Sequence, residues 1–290
     1  MRRDSGYVTL ATLVVCGLLA GIVSTLVLSA QPTLVLTRLG VDDLVTENLL
    51  DSGATASAYL LFAEGKDASV VDGRIITLPT GSVTLHVAAE AGRFDLNASP
   101  PELLKGLFKA VDGQSLSPDA FAARIVDWRD GNDERTPEGA ERSDYRGAGA
   151  SGLPMNAKFQ SVGELRFLKG LSENDYMKLE SFLTVHNRGG MLYPKAASRK
   201  ALLAIPDMSE ADASALAELR GAEDNDEQRA LLKKYESFLT QETPTVYRIT
   251  LVARSKSGRT GTAEMIAGDA KDSPKGYVVH SWNLAAPAAH

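Results

Sequence analysis

Carboxylates crowd one short part of this chain, among them Asp127, Asp130, Asp133, Glu134, Glu141 and Asp144. They are interrupted by Gly131, Pro137 and Gly139, so the stretch reads as a loop rather than a continued helix. A calcium ion takes about six to eight oxygen ligands from carboxylates and carbonyls in a flexible loop, and this loop can supply them. The ligand spacing of an EF-hand is absent. The same residues also read as a solvated acidic loop pinned by Arg129, Arg135 and Arg142, and on the residues alone both readings stand. Trp128 and Tyr145, at its two ends, read as core residues rather than ligand contacts.

Other chemistry has little to build on. His86, His186, His280 and His290 are scattered, and no Ser-His-Asp, H-E-x-x-H or P-loop pattern occurs, so no enzyme is expected. His86 and His280 fall in strand-like segments, where a lone histidine is usually structural. Cys16 is the one cysteine, which excludes a disulfide within the chain. With 44% hydrophobic and 23% charged residues in 290, the composition is that of a globular protein. A net charge of -6 argues against a general nucleic-acid binder. Residues 100–108, 162–179 and 202–219 do echo helix-hairpin-helix units. Binding DNA through such a unit needs a Gly-hydrophobic-Gly turn whose amides hold a phosphate. "LKGLSEND" and "IPDMSEAD" lack the second glycine and put acids where the phosphate would sit. No nucleic-acid partner is expected; the hairpins read as packing and protein-contact modules.

The loop must be held by a body, and the body by whatever lies at the N-terminus. Arg2 and Arg3 precede Ser5-Gly6, and residues 7–30 then run without a charge. This is longer than the apolar core of a secretory signal and near the ~20 residues of a spanning helix. The basic residues before it and Asp42, Asp43 and Glu47 beyond it orient the N-terminus toward the cytoplasm. Ser29-Ala30 offers the competing site for removal of the whole run as a signal. Beyond Pro32 apolar residues continue at helical spacing through Leu36, Leu39, Leu44, Leu50, Ala54, Ala58 and Leu61. One long helix ending near Gly65 is expected, with an apolar half and an amphipathic half, on the order of 80 Å long. Residues 69–97 alternate β-branched and polar side chains and read as two or three strands of one antiparallel sheet. Residues 245–268 read as a hairpin turning at Ser257-Gly258, and 276–283 as a last strand. The block between them is almost wholly helical in pattern.

A short basic leader ending in glycine, followed by an uncharged helix, resembles the type IV prepilin leader. The resemblance implies cleavage by prepilin peptidase between Gly6 and Tyr7, leaving a methylated Tyr7 as mature N-terminus. Most pilins carry a glutamate five residues into the mature chain; here that position is Ala11. The K-type minor pseudopilin of type II secretion is the subunit known to lack it. "AGRFDLNASPPELLKGLF", "IVDWRDGNDERTPEGAERSDY" and "FQSVGELRFLKGLSENDYMKLESFLTV" follow in the order and wording of the general secretion pathway protein K family. "YRITLVARS", "GTAEMI" and "YVVHSW" resemble its closing strands, while Tyr193-Pro194-Lys195 departs from its pattern.

The fold expected from pattern and resemblance together is α+β: a long N-terminal transmembrane helix and a pilin-like antiparallel sheet carrying a large inserted all-helical domain. The boundaries are a leader at 1–6, a stalk helix at 7–65, β-domain parts at 66–98 and 243–283, the helical insert at 99–242 and a tail at 284–290. The resemblance implies a minor pseudopilin at the tip of the type II secretion pseudopilus, starting or capping its assembly for export across the outer membrane. It implies partnership with I- and J-type minor pseudopilins. The location implied is the bacterial inner membrane, single-pass, with a periplasmic C-terminal domain. Members of the family bind calcium in the helical insert, which makes Asp130, Asp133, Glu141 and Asp144 the expected ligands here. The alternatives are a minor pilin of a type IV pilus and a membrane-anchored DNA-uptake protein.

Overall fold

The computed structural model describes residues 5–146, 156–218, 226–270 and 272–285, without the side chains of 5–8, 25–39, 227 and 285. Helix α1 (Ser5–Ala58) runs through Pro32 as one element and continues as a wider turn over Tyr59–Ala63. It ends where Gly65 adopts φ +63°, letting the Lys66 N–H reach back to the Leu60 carbonyl at 2.9 Å. That left-handed step is open to glycine at little steric cost. Leu10, Leu13, Leu18 and Ile22 are all more than half exposed. Among the described residues no helix is long and apolar enough to cross a membrane. The apolar run 7–30 extends at both ends into residues whose side chains lie outside that description.

A single turn, α2 (Ala68–Val71), capped by the Asp67 carboxylate, leads into the hairpin of β1 (Ile75–Leu78) and β2 (Gly81–Ala89). The chain then leaves the sheet. Phe94–Asp95 (β3), expected as a further strand of that sheet, pairs instead in parallel with Leu183–Thr184 (β4), far along the chain. Phe94 is fully buried in the core of the inserted block. The Asp95 carboxylate accepts from the amides of Asn97, Ala98 and Asn187, which fixes this turn inside the block. The insert expected to be all-helical therefore contains a short parallel pair at its base.

Three helical hairpins make up most of the block. They are α3 (Pro101–Ala110) with α4 (Pro118–Arg129), a 3-10 turn (Val162–Phe167) with α6 (Glu173–Leu179), and α7 (Arg199–Leu202) with α8 (Glu210–Ala217). Short α5 (Arg142–Arg146) lies between the first two, and α9 (Asp226–Lys234) follows the third. Ser117, Ser172 and Ser209 each cap the second helix of a hairpin by accepting an amide from its first turn. Leu103, Leu107, Phe108, Phe121, Ile125 and Leu202 meet in one apolar core.

The chain returns to the sheet beside the strand it left. β5 (Val246–Ser255) pairs with β2, β6 (Thr260–Asp269) with β5, and β7 (Tyr277–Ala285) with β6, all antiparallel, in the order β1-β2-β5-β6-β7. Because Ala89 sits opposite Tyr247, the two ends of the insert lie side by side. The C-terminal half of α1 crosses this sheet, burying Leu49, Leu50, Ala58 and Leu61 against Val83, Leu85, Leu251 and Met265. Gly53 permits the close approach, since a Cβ there would meet the Val83 side chain at 2.7 Å. Sheet and helix share one core and the insert has its own.

Candidate metal centre

Helix α4 carries Asp127 in its last turn, and Asp130, three residues on, is the extended residue that caps it. Negative groups there oppose the partial negative charge of the helix terminus. After α4 the chain doubles back through the acidic loop. Asn132 N–H donates to Asp130 and Glu134 N–H to Asn132, so each side chain turns the backbone that follows it. Thr136 N–H donates to the Asp127 carboxylate at 3.2–3.3 Å. Gly139 lies so close that any Cβ would collide with Asp127 Oδ2 and Thr136 Oγ1. This return delivers Glu141 to the end of α4.

One carboxylate oxygen from each of Asp127, Asp130 and Glu141 lies within 4.8 Å of the others. Asp127 is fully buried and Glu141 is 2% exposed. Both Glu141 oxygens are buried without a hydrogen-bond partner, as are Thr136 Oγ1 and Asn156 Oδ1 among the described residues. Burial, and then the charges of Asp127 and Asp130, raise the Glu141 pKa above the ordinary glutamate value. They do so against the Arg142 backbone N–H, which lies near enough to favour the charged form but makes no hydrogen bond of normal geometry. Carboxylate oxygens left unsatisfied in a dry site are costly unless a cation takes them. The donors are all oxygen, with no histidine or thiolate among them, which fits calcium and similar hard cations rather than zinc.

The expected ligands divide. Asp130 and Glu141 face each other across the cluster. Asp133 accepts from the Asn156 amide at 2.8 Å; that amide also donates to the Asn132 carbonyl and so staples the loop to the chain beyond α5. Asp144 is not among the three grouped oxygens. It accepts the Glu141 N–H at 3.0 Å, lies 3.4 Å from Arg135 and 3.8 Å from Lys169, and these contacts, the amide first, hold its pKa below the usual value. It positions the backbone that carries Glu141. Asp127 was counted among the acids of the loop but not among the expected ligands; its place in D-W-R-D, one helical turn before Asp130, is the signal that marks it.

The residues around the cluster hold it rigid. Trp128 stacks on Phe159 at 5.3 Å between ring centroids and meets Tyr145 edge-on at 5.6 Å, all three within the core. Burial pushes the Tyr145 pKa up to about 12, and its oxygen accepts the Lys169 N–H. Arg129, read as a pin of the loop, turns the other way to donate to the Leu96 and Ser99 carbonyls. Gly6 and Tyr7 stand in the first turns of α1, where side chains are outside the description. His290 also lies outside it. His86 stands 3.7 Å from Asp72, and His186 stacks on His280.

Residues 86–188 match the family model of the type II secretion system (T2SS), protein K. No curated protein matches the chain. Among solved structures, a chain of the GspK-GspI-GspJ complex from the enterotoxigenic Escherichia coli type 2 secretion system superposes with a TM-score of 0.64. The likeness covers 86% of this chain and 99% of that one at 14% identity, and shows a common fold. The matched segment runs from β2 through the acidic loop to the end of the second hairpin, the part of the molecule that distinguishes it from a bare helix and sheet. Over residues 86–188 the chain is thus similar to type II secretion system protein K, and its fold is shared with a chain of the GspK-GspI-GspJ complex.

Proposed function

We propose that this protein is a minor pseudopilin of type II secretion that sits at the tip of the pseudopilus, where it starts or caps assembly together with I- and J-type minor pseudopilins. The observation that carries the reading is the shape of the chain. A single helix backed by a five-stranded sheet bears a helical block with its own core, inserted between two adjacent strands. Stacked subunits of a helical filament bury one stalk against the next, and so bulky an insert would clash with the subunit above it. Only the last position leaves that space open. Ala11, where most pilins have a glutamate, supports the same place, because a tip subunit has no neighbour above whose terminal amine must be paired. The apolar run 7–30 supports a single-pass inner-membrane anchor with a periplasmic body, its leader removed between Gly6 and Tyr7. Cross-linking in membranes followed by co-purification is expected to recover other pilin-like subunits; recovery of none would sink the tip assignment. N-terminal sequencing should give a methylated Tyr7, whereas a start just after Ala30 would mean ordinary secretion.

The role is structural rather than catalytic on this reading, and the calcium site belongs to the structure. Asp127, Asp130 and Glu141 would hold the ion, which supplies positive charge to a loop that otherwise repels itself. Titration of calcium into chelator-treated protein is expected to raise Tm, and an unchanged Tm would count against the site. The hairpin N-termini favour protein contact over nucleic acid. Asp175 and Asp212 occupy the first turns of α6 and α8 and are already engaged, one by Ser115 and Gln114, the other by Lys234 and Tyr235. Tight, salt-sensitive binding of DNA would overturn this.

A further inference from the structure

The two cores meet at a seam, and the seam carries a stacked pair of histidines. His186 follows β4 in the helical block; His280 lies on β7, at the outer edge of the sheet. The pairing of β6 with β7 slips at one point, where Ile266 faces Ser281 and Ala267 faces Val279, so that His280 is the extra residue of a bulge. Bulges re-aim side chains, and this one brings His280 onto His186, with ring centroids 4.9 Å apart and planes 28° from parallel. Gly268, across on β6, leaves room for the ring, since a Cβ there would meet His280 Nε2 at 2.9 Å.

The groups facing this pair are mostly cationic. Arg188, two residues after His186, acts on both rings, and Arg248 on β5 acts on His186. Glu90, at the end of β2, is the one carboxylate that favours a proton on His186, and it is already committed. It accepts from Arg248 at 2.8 Å and from Thr184, while Arg248 also reaches Glu264 on β6 at 2.7 Å. Two neutral imidazoles stack without penalty; two imidazolium ions at this separation repel, with arginines adding to the repulsion.

We propose that His186 and His280 form an acid-sensitive latch between the helical block and the sheet, closed when both rings are neutral and loosened when they take up protons. His186 is half-buried and His280 exposed; the partial burial of each ring first, and then the neighbouring positive charges, hold both pKa values below the ordinary histidine value. The sign follows directly. The unfolded or opened chain binds protons from about pH 6.5 downward while the closed seam resists them. The stability of the seam is therefore whole above that pH and is lost as pH falls toward the depressed values.

The test is hydrogen exchange of the purified full chain at pH 7.5 and 5.0, corrected for intrinsic rates, beside the variant His280→Phe, which keeps a ring in the stack and cannot charge. Peptides covering 183–190 and 277–284 are expected to lose protection several-fold on acidification in the wild type and to hold it in the variant. Unchanged protection in the wild type overturns the latch, as does a variant that responds as the wild type does. Should the variant not fold, the imidazole titrations of the wild type decide. Coupled midpoints below about 6.5 support the latch, and a midpoint at or above that value for either ring overturns it.

Discussion

Glu141 concentrates the physics of the acidic loop in one side chain. Its carboxylate is buried beside two others, and its pKa is raised by burial first and by Asp127 and Asp130 next. For a carboxyl whose folded pKa lies above the unfolded one, stability is lost as pH rises through the folded value. Cation-free protein is therefore expected to gain stability on mild acidification, and calcium to remove that gain. Glu141→Gln should raise the Tm of the chelator-treated protein while abolishing the calcium response. Thermal melts with and without calcium check both halves. A variant destabilised without calcium would mean that the glutamate is satisfied by something other than a cation. Asp127→Asn and Asp144→Asn separate ligand from brace. The second, which removes a brace, should weaken calcium binding by roughly 10–100-fold, and the first, which removes a directly coordinating group, by clearly more. Isothermal titration distinguishes them, and equal losses would overturn the division of roles.

Helix α3 shows how a rule of local propensity is reversed by packing. Gly106 sits inside the helix, where replacement by alanine ordinarily adds about 1 kcal/mol of helix stability. Here the added methyl would strike the Ala204 carbonyl of the segment after α7. Gly106→Ala is therefore expected to destabilise the block by about 2 kcal/mol, the usual scale of overpacking. Gly131→Ala, in open space on the acidic loop, is the matched control and should leave Tm within about 2 °C of wild type. Denaturant melts decide between the two signs. The helical character of the block was legible in its pattern, and segments 162–179 and 202–219 fall on its second and third hairpins, whereas 100–108 marks α3 without its partner α4. β3 was not legible: a two-residue strand has no period, and its partner lies almost ninety residues away.

The molecule divides the length of α1 between two duties. From Thr46 onward its inner face is buried against the sheet, whereas residues 9–24 are exposed along their whole length. Removal of residues 1–24 is therefore expected to leave the body folded, with Tm changed by less than about 2 °C in calorimetry. Removal through Leu50 takes away buried Leu49 and Leu50, at about 2–5 kcal/mol for each large side chain lost from a core. That shorter chain should unfold or aggregate. A marked loss of stability in the first truncation would show that the apolar half also supports the body.

Local information was enough for the long helix with its end at Gly65, the β1–β2 and β5–β6 hairpins, the helical character of the insert and the acidic character of the loop. These rest on periods of two and 3.6, on turn residues and on charge, all of which act between near neighbours. Tertiary structure alone decided that Asp127 joins Asp130 and Glu141 while Asp144 accepts the Glu141 amide. It alone sent Arg129 to the backbone of β3's turn and His280 onto His186. Side-chain direction at a site depends on how the chain returns to itself, through Gly139 against Asp127 in one place and through a bulge in β7 in the other. Those returns are settled by long-range packing, which residue type and spacing do not encode.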